Sequence, residues 1–217
     1  MDATEQLLKE LSETHGIPGY EAEIRAVVRR HLQDLGSIDQ DRIGSLVCRN
    51  GEDGPRVMIA AHMDEIGFMV THITEEGCLK FLPLGGWWDQ VLLGQRVQIK
   101  THRGDLPGVL GAKPPHVLPQ DDRKKVVEAK DMYIDMGAVS KAEAEQAGVR
   151  LGDPVVPDST FRTTINNKVY MGKAFDDRVG VALMIETLRR FSAAPHPNTL
   201  YGVGTVMEEV GLRGAKT

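Results

Sequence analysis

A chain of 217 residues is long enough for one sizeable domain or two small ones, and 41% hydrophobic with 26% charged residues is ordinary for a globular protein. The formal net charge of −5 argues against nucleic acid or an anionic membrane surface as the main partner, and no run is apolar for long enough to span a bilayer. Cys48 and Cys78 are too few for a disulfide framework and lack metal-site spacing, which favours a reducing cytoplasm.

The N-terminal stretch "MDATEQLLKELSETHG" carries acids where a secretion leader would carry a basic patch and an apolar core. An exposed amphipathic helix is expected there, about Ala3–Thr14, with Leu7, Leu8 and Leu11 on one face. After the breaker "HGIPGY" a second helix is expected over about Glu21–Leu35, with Ile24, Val27, Val28, His31 and Leu32 on one face and Gly36 ending it. "RVMIAAHMDEIGFMV" then reads as a buried strand, Val57–Ala60, a short polar interruption and a second apolar run.

From about Thr71 to Thr164, short β-branched runs such as "QRVQIK", "PGVLGAK" and "DPVVPD" alternate with Gly, Pro and Asp turns, the pattern of a compact β-rich module. Within it, "SKAEAEQAG" is expected to form a helix with a serine N-cap. Helix–strand rhythm then returns. "RVGVALMIETLRRF" predicts a helix whose apolar face carries Val179, Ala182, Leu183 and Ile185, and "TLYGVGTVM" predicts a strand. The simplest account is an α/β domain, 1–70 and 165–217, interrupted by an inserted β-module, 71–164.

Three clusters of ionisable residues sit at the edges of these elements. His62, Asp64 and Glu65 follow the strand Val57–Ala60; Asp176 and Asp177 precede the helix Arg178–Phe191; Glu208 and Glu209 follow the strand Leu200–Met207. In open α/β sheets, ligands bind beyond the carboxyl ends of strands, and a helix N-terminus favours anions, so all three clusters can meet in one crevice. One imidazole with several carboxylates suits Zn²⁺, Co²⁺ or Mn²⁺. Two such ions ~3.5–4 Å apart need a bridging carboxylate, and Asp176 is the candidate. His62 and Asp64, two apart, are expected to share a strand face, an imidazole ligand with a carboxylate that orients it. Glu208 and Glu209 diverge, so that one can bind metal while the other acts as general base. Each pattern alone has a plainer reading as cap, solvated face or packing residue; the three together, at element ends, point to metal. His15, His31, His72, His102 and His196 have no comparable setting and read as surface or packing residues.

Neither G-x-S-x-G nor H-E-x-x-H occurs, and in "GLRGAKT" Ala215 stands where a phosphate loop needs glycine before lysine. The set "AAHMDEIGFMV", "GAKPPHVL", "YIDMGAVSKAEAEQAGVRLGDPVV", "GKAFDDRVGVALMIE" and "VMEEVGLRGA" instead resembles the tetrahedral and glutamyl aminopeptidases, cytoplasmic dinuclear metallopeptidases of which some carry a cellulase or endoglucanase label.

The resemblance implies a mixed-sheet α/β catalytic domain with an inserted oligomerisation module, in which the loop Lys113–His116 recurs. It implies His62 as ligand of one metal, Asp64 as the catalytic aspartate behind it, and Asp176 as the bridge, with Asp177 after it at a strained peptide link. Glu208 would be the general base and Glu209 a ligand. Two divalent ions, Zn²⁺ or Co²⁺ with Mn²⁺ as a further option, short peptide substrates, and homo-oligomers from dimer to dodecamer are implied as well. Family members continue past "EEVGLRGA" with a further aspartate and a histidine ligand, so a C-terminally truncated catalytic domain is expected, with each metal at least one ligand short and the chain inactive alone. A non-catalytic oligomerisation or regulatory subunit derived from such a peptidase is the other reading the sequence leaves open.

Overall fold

Helix α1 (Ala3–Glu13) starts at a capping box. The Asp2 carboxylate accepts from Glu5 N at 2.8 Å while Glu5 accepts from Asp2 N at 2.7 Å, satisfying two amides that a helix start leaves open. Leu7 and Leu11, four apart, bury one face. Helix α2 (Ala22–Leu32) repeats the device with Ile24, Val28 and Leu32 buried, leaving Val27 and His31 at the margin. A computed structural model describes every residue from Met1 to Thr217.

After α2 come β1 (Ser37–Gln40) and β2 (Leu46–Asn50), an antiparallel hairpin whose turn is held by one Asp41 oxygen accepting from Ile43, Gly44 and Ser45. Strand β3 (Arg56–His62) follows. It differs from the expected buried strand: Val57 is 42% and Met58 66% exposed. Neighbouring residues of a strand face opposite ways, so the start of β3, which lies at the end of its sheet, is uncovered on both faces.

Residues Ile66–Asp158 form one compact unit. Its strands β4 (Gly67–Ile73), β5 (Leu79–Leu84), β6 (Arg96–Thr101), β7 (Gly104–Gly111), β8 (Tyr133–Asp135) and β9 (Pro154–Pro157) close into a barrel in the order β4-β5-β8-β7-β6-β9. The short helix α3 (Lys141–Gln146) lies between β8 and β9 in sequence and is capped by Ser140. A barrel this small is filled by its own side chains: alternate residues Phe68 and Val70, Leu79 and Phe81, and Val97 and Ile99 point inward. Gly108 admits the Ile134 side chain, whose Cγ2 would lie 2.7 Å from any Cβ added there. Phe68 stacks on Trp87 with ring centroids 4.7 Å apart and meets Phe81 edge-on at 5.0 Å. Phe68→Leu is expected to destabilise this barrel by about 1–2 kcal/mol through lost ring contacts and imperfect filling. Both tryptophans, Trp87 and Trp88, lie in this unit. The denaturation midpoint followed by tryptophan fluorescence therefore reads the effect directly.

Ser159–Thr217 joins Met1–Glu65 in the other unit. It contributes the two-residue strands β10 (Arg162–Thr163) and β11 (Tyr170–Met171), helix α4 (Phe175–Ser192) and strand β12 (Thr199–Thr205). The main sheet has the order β1-β2-β12-β3, with β12 antiparallel to β2 and parallel to β3, so the unit is a mixed α/β structure. Gly202 lets α4 lie close on β12: an added Cβ would stand 2.5 Å from Leu188 Cδ1 and 3.0 Å from Met184 Cγ.

The buried face of α4 matches the expected one only in part: Ala182 and Ile185 are buried, but the other two are not. Val179 and Leu183 are 38% and 62% exposed, whereas Arg178, Val181, Ala182, Ile185 and Leu188 form the buried stripe, joined by Met184. The stripe includes an arginine that donates to backbone carbonyls, from Nε to Met63 O at 2.8 Å and from Nη1 to Thr14 O at 2.9 Å and to Leu11 O, while its Nη2 makes no hydrogen bond and lies 3.7 Å from Glu65 Oε1. Both cysteines are free, and no helix is long and apolar enough to cross a membrane.

Candidate metal centre

The parallel pair β3 and β12 ends at one edge, with Thr205 in register with His62, and Met63 N donating to Thr205 O at 2.8 Å. His62 is the last residue of β3 and is buried. Its Nδ1 lies 3.1 Å from the Asp64 carbonyl oxygen and 3.5 Å from Asp64 Oδ1. A carbonyl can only accept, so Nδ1 holds the proton and Nε2 faces outward to Asp176 Oδ1 at 3.0 Å and Glu208 Oε2 at 3.8 Å. Asp64 itself has left the strand, so the two residues meet across a turn instead of sharing a strand face.

Asp64 is fully buried, and its two oxygens accept the backbone amides of Glu208 and Glu209, each at 3.0 Å. Burial disfavours its charge, but His62 and these two amides outweigh burial and hold the carboxyl below its ordinary range. One buried carboxylate thus orients the imidazole and seats both glutamates. At the next amide back, Glu21 accepts from Met207 N at 3.1 Å and also from Gly19 N at 2.9 Å. Burial pushes the Glu21 carboxyl up, and the Asp64 charge adds to this against those two amides.

Asp176 and Asp177 are joined by a cis peptide. Both have non-helical backbone dihedrals, so regular helix begins at Arg178. Asp177 Oδ1 accepts from Gly180 N at 3.0 Å, the work of an N-cap, which leaves the largely exposed Asp176 to point at His62. Behind this segment Lys173 Nζ is buried and donates to both oxygens of Glu65, at 2.5 and 2.7 Å. Glu65 Oε1 also accepts from Gly16 N at 3.2 Å.

His62, Asp176 and Glu209 offer one donor atom each within 4.8 Å of one another. The donor chemistry suits a divalent cation of the zinc or cobalt type. Charge agrees. Burial works against a proton on His62, yet Asp64, Asp176 and Glu208 overcome it and raise the imidazole to about 9. Burial, opposed by His62 and reinforced by the other carboxylates, likewise pushes Glu209 up. A cation among these groups supplies the positive charge that the extra protons otherwise provide. The five residues singled out in the sequence, His62, Asp64, Asp176, Glu208 and Glu209, are therefore neighbours. Glu65 was grouped with the first cluster but given no role of its own, and Glu21, Lys173 and Arg178 were not singled out as functional. An acid at the first position of a helix and a basic residue beside an apolar stripe are too common to signal such roles.

A mixed sheet whose parallel strands end in one imidazole and several carboxylates defines an α/β protein with a donor set suited to divalent metal. The model of the M42 glutamyl aminopeptidase family matches residues 44–217, and the chain belongs to that family. A second family model, AMPT, matches residues 2–27. The FrvX protein of Escherichia coli K12 is 44% identical over 98% of this chain and 59% of its own length. The TET aminopeptidase of the marine sediment archaeon Thaumarchaeota SCGC AB-539-E09 superposes with a TM-score of 0.96 at 49% identity, covering 100% of this chain and 62% of that one. The dodecameric PhTET1-12s structure gives 0.89 at 38% identity, covering 100% and 64%. The chain thus spans about three fifths of the length of the relatives it matches.

Proposed function

We propose that this chain carries the catalytic face of a dinuclear metalloaminopeptidase that removes N-terminal residues from short peptides. The observation that carries the reading is the His62–Asp176–Glu209 donor set beside the Glu208 carboxylate, in a member of the M42 family. His62 and Glu209 would each bind one of two divalent ions, and Asp176, with two oxygens and a largely exposed side chain, would serve both. The bound ions would act as Lewis acids toward the scissile carbonyl and make water a better nucleophile.

The protein's own groups do the rest. Asp64 holds His62 in the tautomer that presents Nε2, and through the Glu208 and Glu209 amides it fixes where both glutamates start. Glu208 takes a proton from the attacking water and delivers it to the leaving amine as the peptide C–N bond breaks. The barrel Ile66–Asp158 would serve as the assembly module, and its exposed Trp88, Val91 and Leu93 are the apolar contacts an interface uses. The dodecameric state of PhTET1-12s supports a homo-oligomer.

Calorimetric titration with Zn²⁺ or Co²⁺ is expected to give saturable binding that His62→Ala weakens by about 100-fold or more, as loss of a direct ligand would. Binding unchanged by His62→Ala would overturn the assignment. In a complete chain, chelation should abolish release of a chromophore from an aminoacyl substrate, and added Zn²⁺ or Co²⁺ should restore it.

A further inference from the structure

Three consecutive amides, those of Met207, Glu208 and Glu209, donate to just two buried carboxylates, Glu21 and Asp64. Asp64 takes the second and third. Glu21 takes the first, from a position 186 residues away in sequence. Glu21 is 2% exposed and stands at the N-cap position of α2, where an acidic side chain ordinarily bonds its own helix. Its carboxylate makes no such cap bond and is turned instead to Gly19 N and Met207 N.

The place it reaches is unusual. Met207 has φ 53, in the left-handed region that side-chain-bearing residues seldom adopt. That conformation breaks the line of β12 and sends Glu208 and Glu209 back toward His62. Beyond the turn, Arg213 N donates to Met207 O at 3.1 Å and Gly214 N to Val206 O at 2.9 Å. A left-handed residue persists only when its surroundings hold it, and at the Met207 amide the hold is Glu21. Burying a carboxylate near the charge of Asp64 is unfavourable, so a place in the core is given to an acceptor whose geometry matters.

We infer that Glu21 is a positioning residue for the Glu208–Glu209 pair: it fixes the Met207 amide, and with it the left-handed turn from which the base and the metal ligand project. This rests on the reading of Glu208 and Glu209 given above. It adds the N-cap residue of α2 to a centre otherwise built from strand ends and the start of α4.

The test compares Glu21→Gln, which keeps an acceptor oxygen, with Glu21→Ala, which removes it. Two readouts are used: amide hydrogen exchange at Met207–Glu209 by NMR, and Zn²⁺ affinity by competition with a chelating dye. In Glu21→Ala, exchange at these amides is expected to accelerate by about tenfold or more, and Zn²⁺ affinity to fall by about tenfold, the size of effect seen when groups supporting a ligand are lost. Glu21→Gln should stay within about threefold of the parent in both, since it keeps an acceptor oxygen at the same reach. If the alanine variant does not fold, Glu21→Asp, whose shorter side chain withdraws the acceptor, carries the same expectation. A folded variant lacking the acceptor with parental exchange and Zn²⁺ affinity overturns the inference, as does a glutamine variant as impaired as alanine. Failure of the parent itself to bind Zn²⁺ would count against the metal reading, whereas hydrogen exchange would still decide the role of Glu21 in the turn.

Discussion

Glu208→Gln in a complete chain, one that also carries the further aspartate and histidine ligands the family resemblance implies, is expected to lower aminopeptidase turnover by about 10²–10⁴-fold, the contribution of a well-placed general base, while leaving the bound metal and the fold unchanged. The reasons are geometric. Glu208 Oε2 lies 3.8 Å from His62 Nε2, close enough to share the space of the metal but outside the three-donor set. Glutamine keeps the size of the side chain and the amide bond to Asp64, because the latter comes from the backbone. It removes only the capacity to take a proton at neutral pH. The decisive comparison is kcat for an aminoacyl chromophore against metal content by elemental analysis, made on the same preparations. Loss of metal together with turnover would make Glu208 a ligand and reverse its role with Glu209. The Glu209→Gln variant is the matched control, expected to lose metal first.

The neighbourhood of the centre was legible in the sequence because strand ends and helix starts are punctuated locally. His62 ends an apolar run, the Asp176–Asp177 pair stands before a helix, and Glu208 follows "GVGTVM". An open α/β sheet brings such ends together wherever they fall in the chain. The expected strand face shared by His62 and Asp64 was wrong in detail because β3 stops at His62, and the turn does what a strand was expected to do. The phase of α4 was read only in part, Ala182 and Ile185 being buried as expected and Val179 and Leu183 not, for a different reason. Periodicity arguments count apolar residues, and this helix buries Arg178, whose charge is accommodated by carbonyls of α1 and the adjoining Thr14, contacts more than 160 residues distant in sequence. Glu21 was invisible for the same cause. Its value lies in which distant amide it meets, and residue type alone does not carry that.

Lys173→Met is expected to destabilise the protein by about 3–5 kcal/mol, the usual result of leaving one member of a buried ion pair without its partner. Lys173 and Glu65 are both nearly inaccessible, and the ammonium reaches both carboxylate oxygens. Glu65 would retain only the Gly16 amide and the more distant Arg178, whose Nη2 is 3.7 Å away. Those contacts cannot replace a two-pronged charged bond. For a protein of this length the melting temperature should fall on the order of 10 °C, followed by far-ultraviolet circular dichroism because both tryptophans lie in the other unit. The second substitution separates pairing from packing. If the cost is the stranded carboxylate, adding Glu65→Leu to Lys173→Met should recover much of the loss, and the double-mutant cycle should show strong coupling. If methionine alone costs less than about 1 kcal/mol, the pair contributes no more than a surface bridge would and the burial argument fails. The segment at stake runs from Lys173 to Asp176, tied to α1 by Ser12 Oγ donating to Lys173 O at 2.7 Å. Loosening it should therefore weaken Zn²⁺ binding along with stability, because Asp176 is delivered to His62 by this stretch of chain.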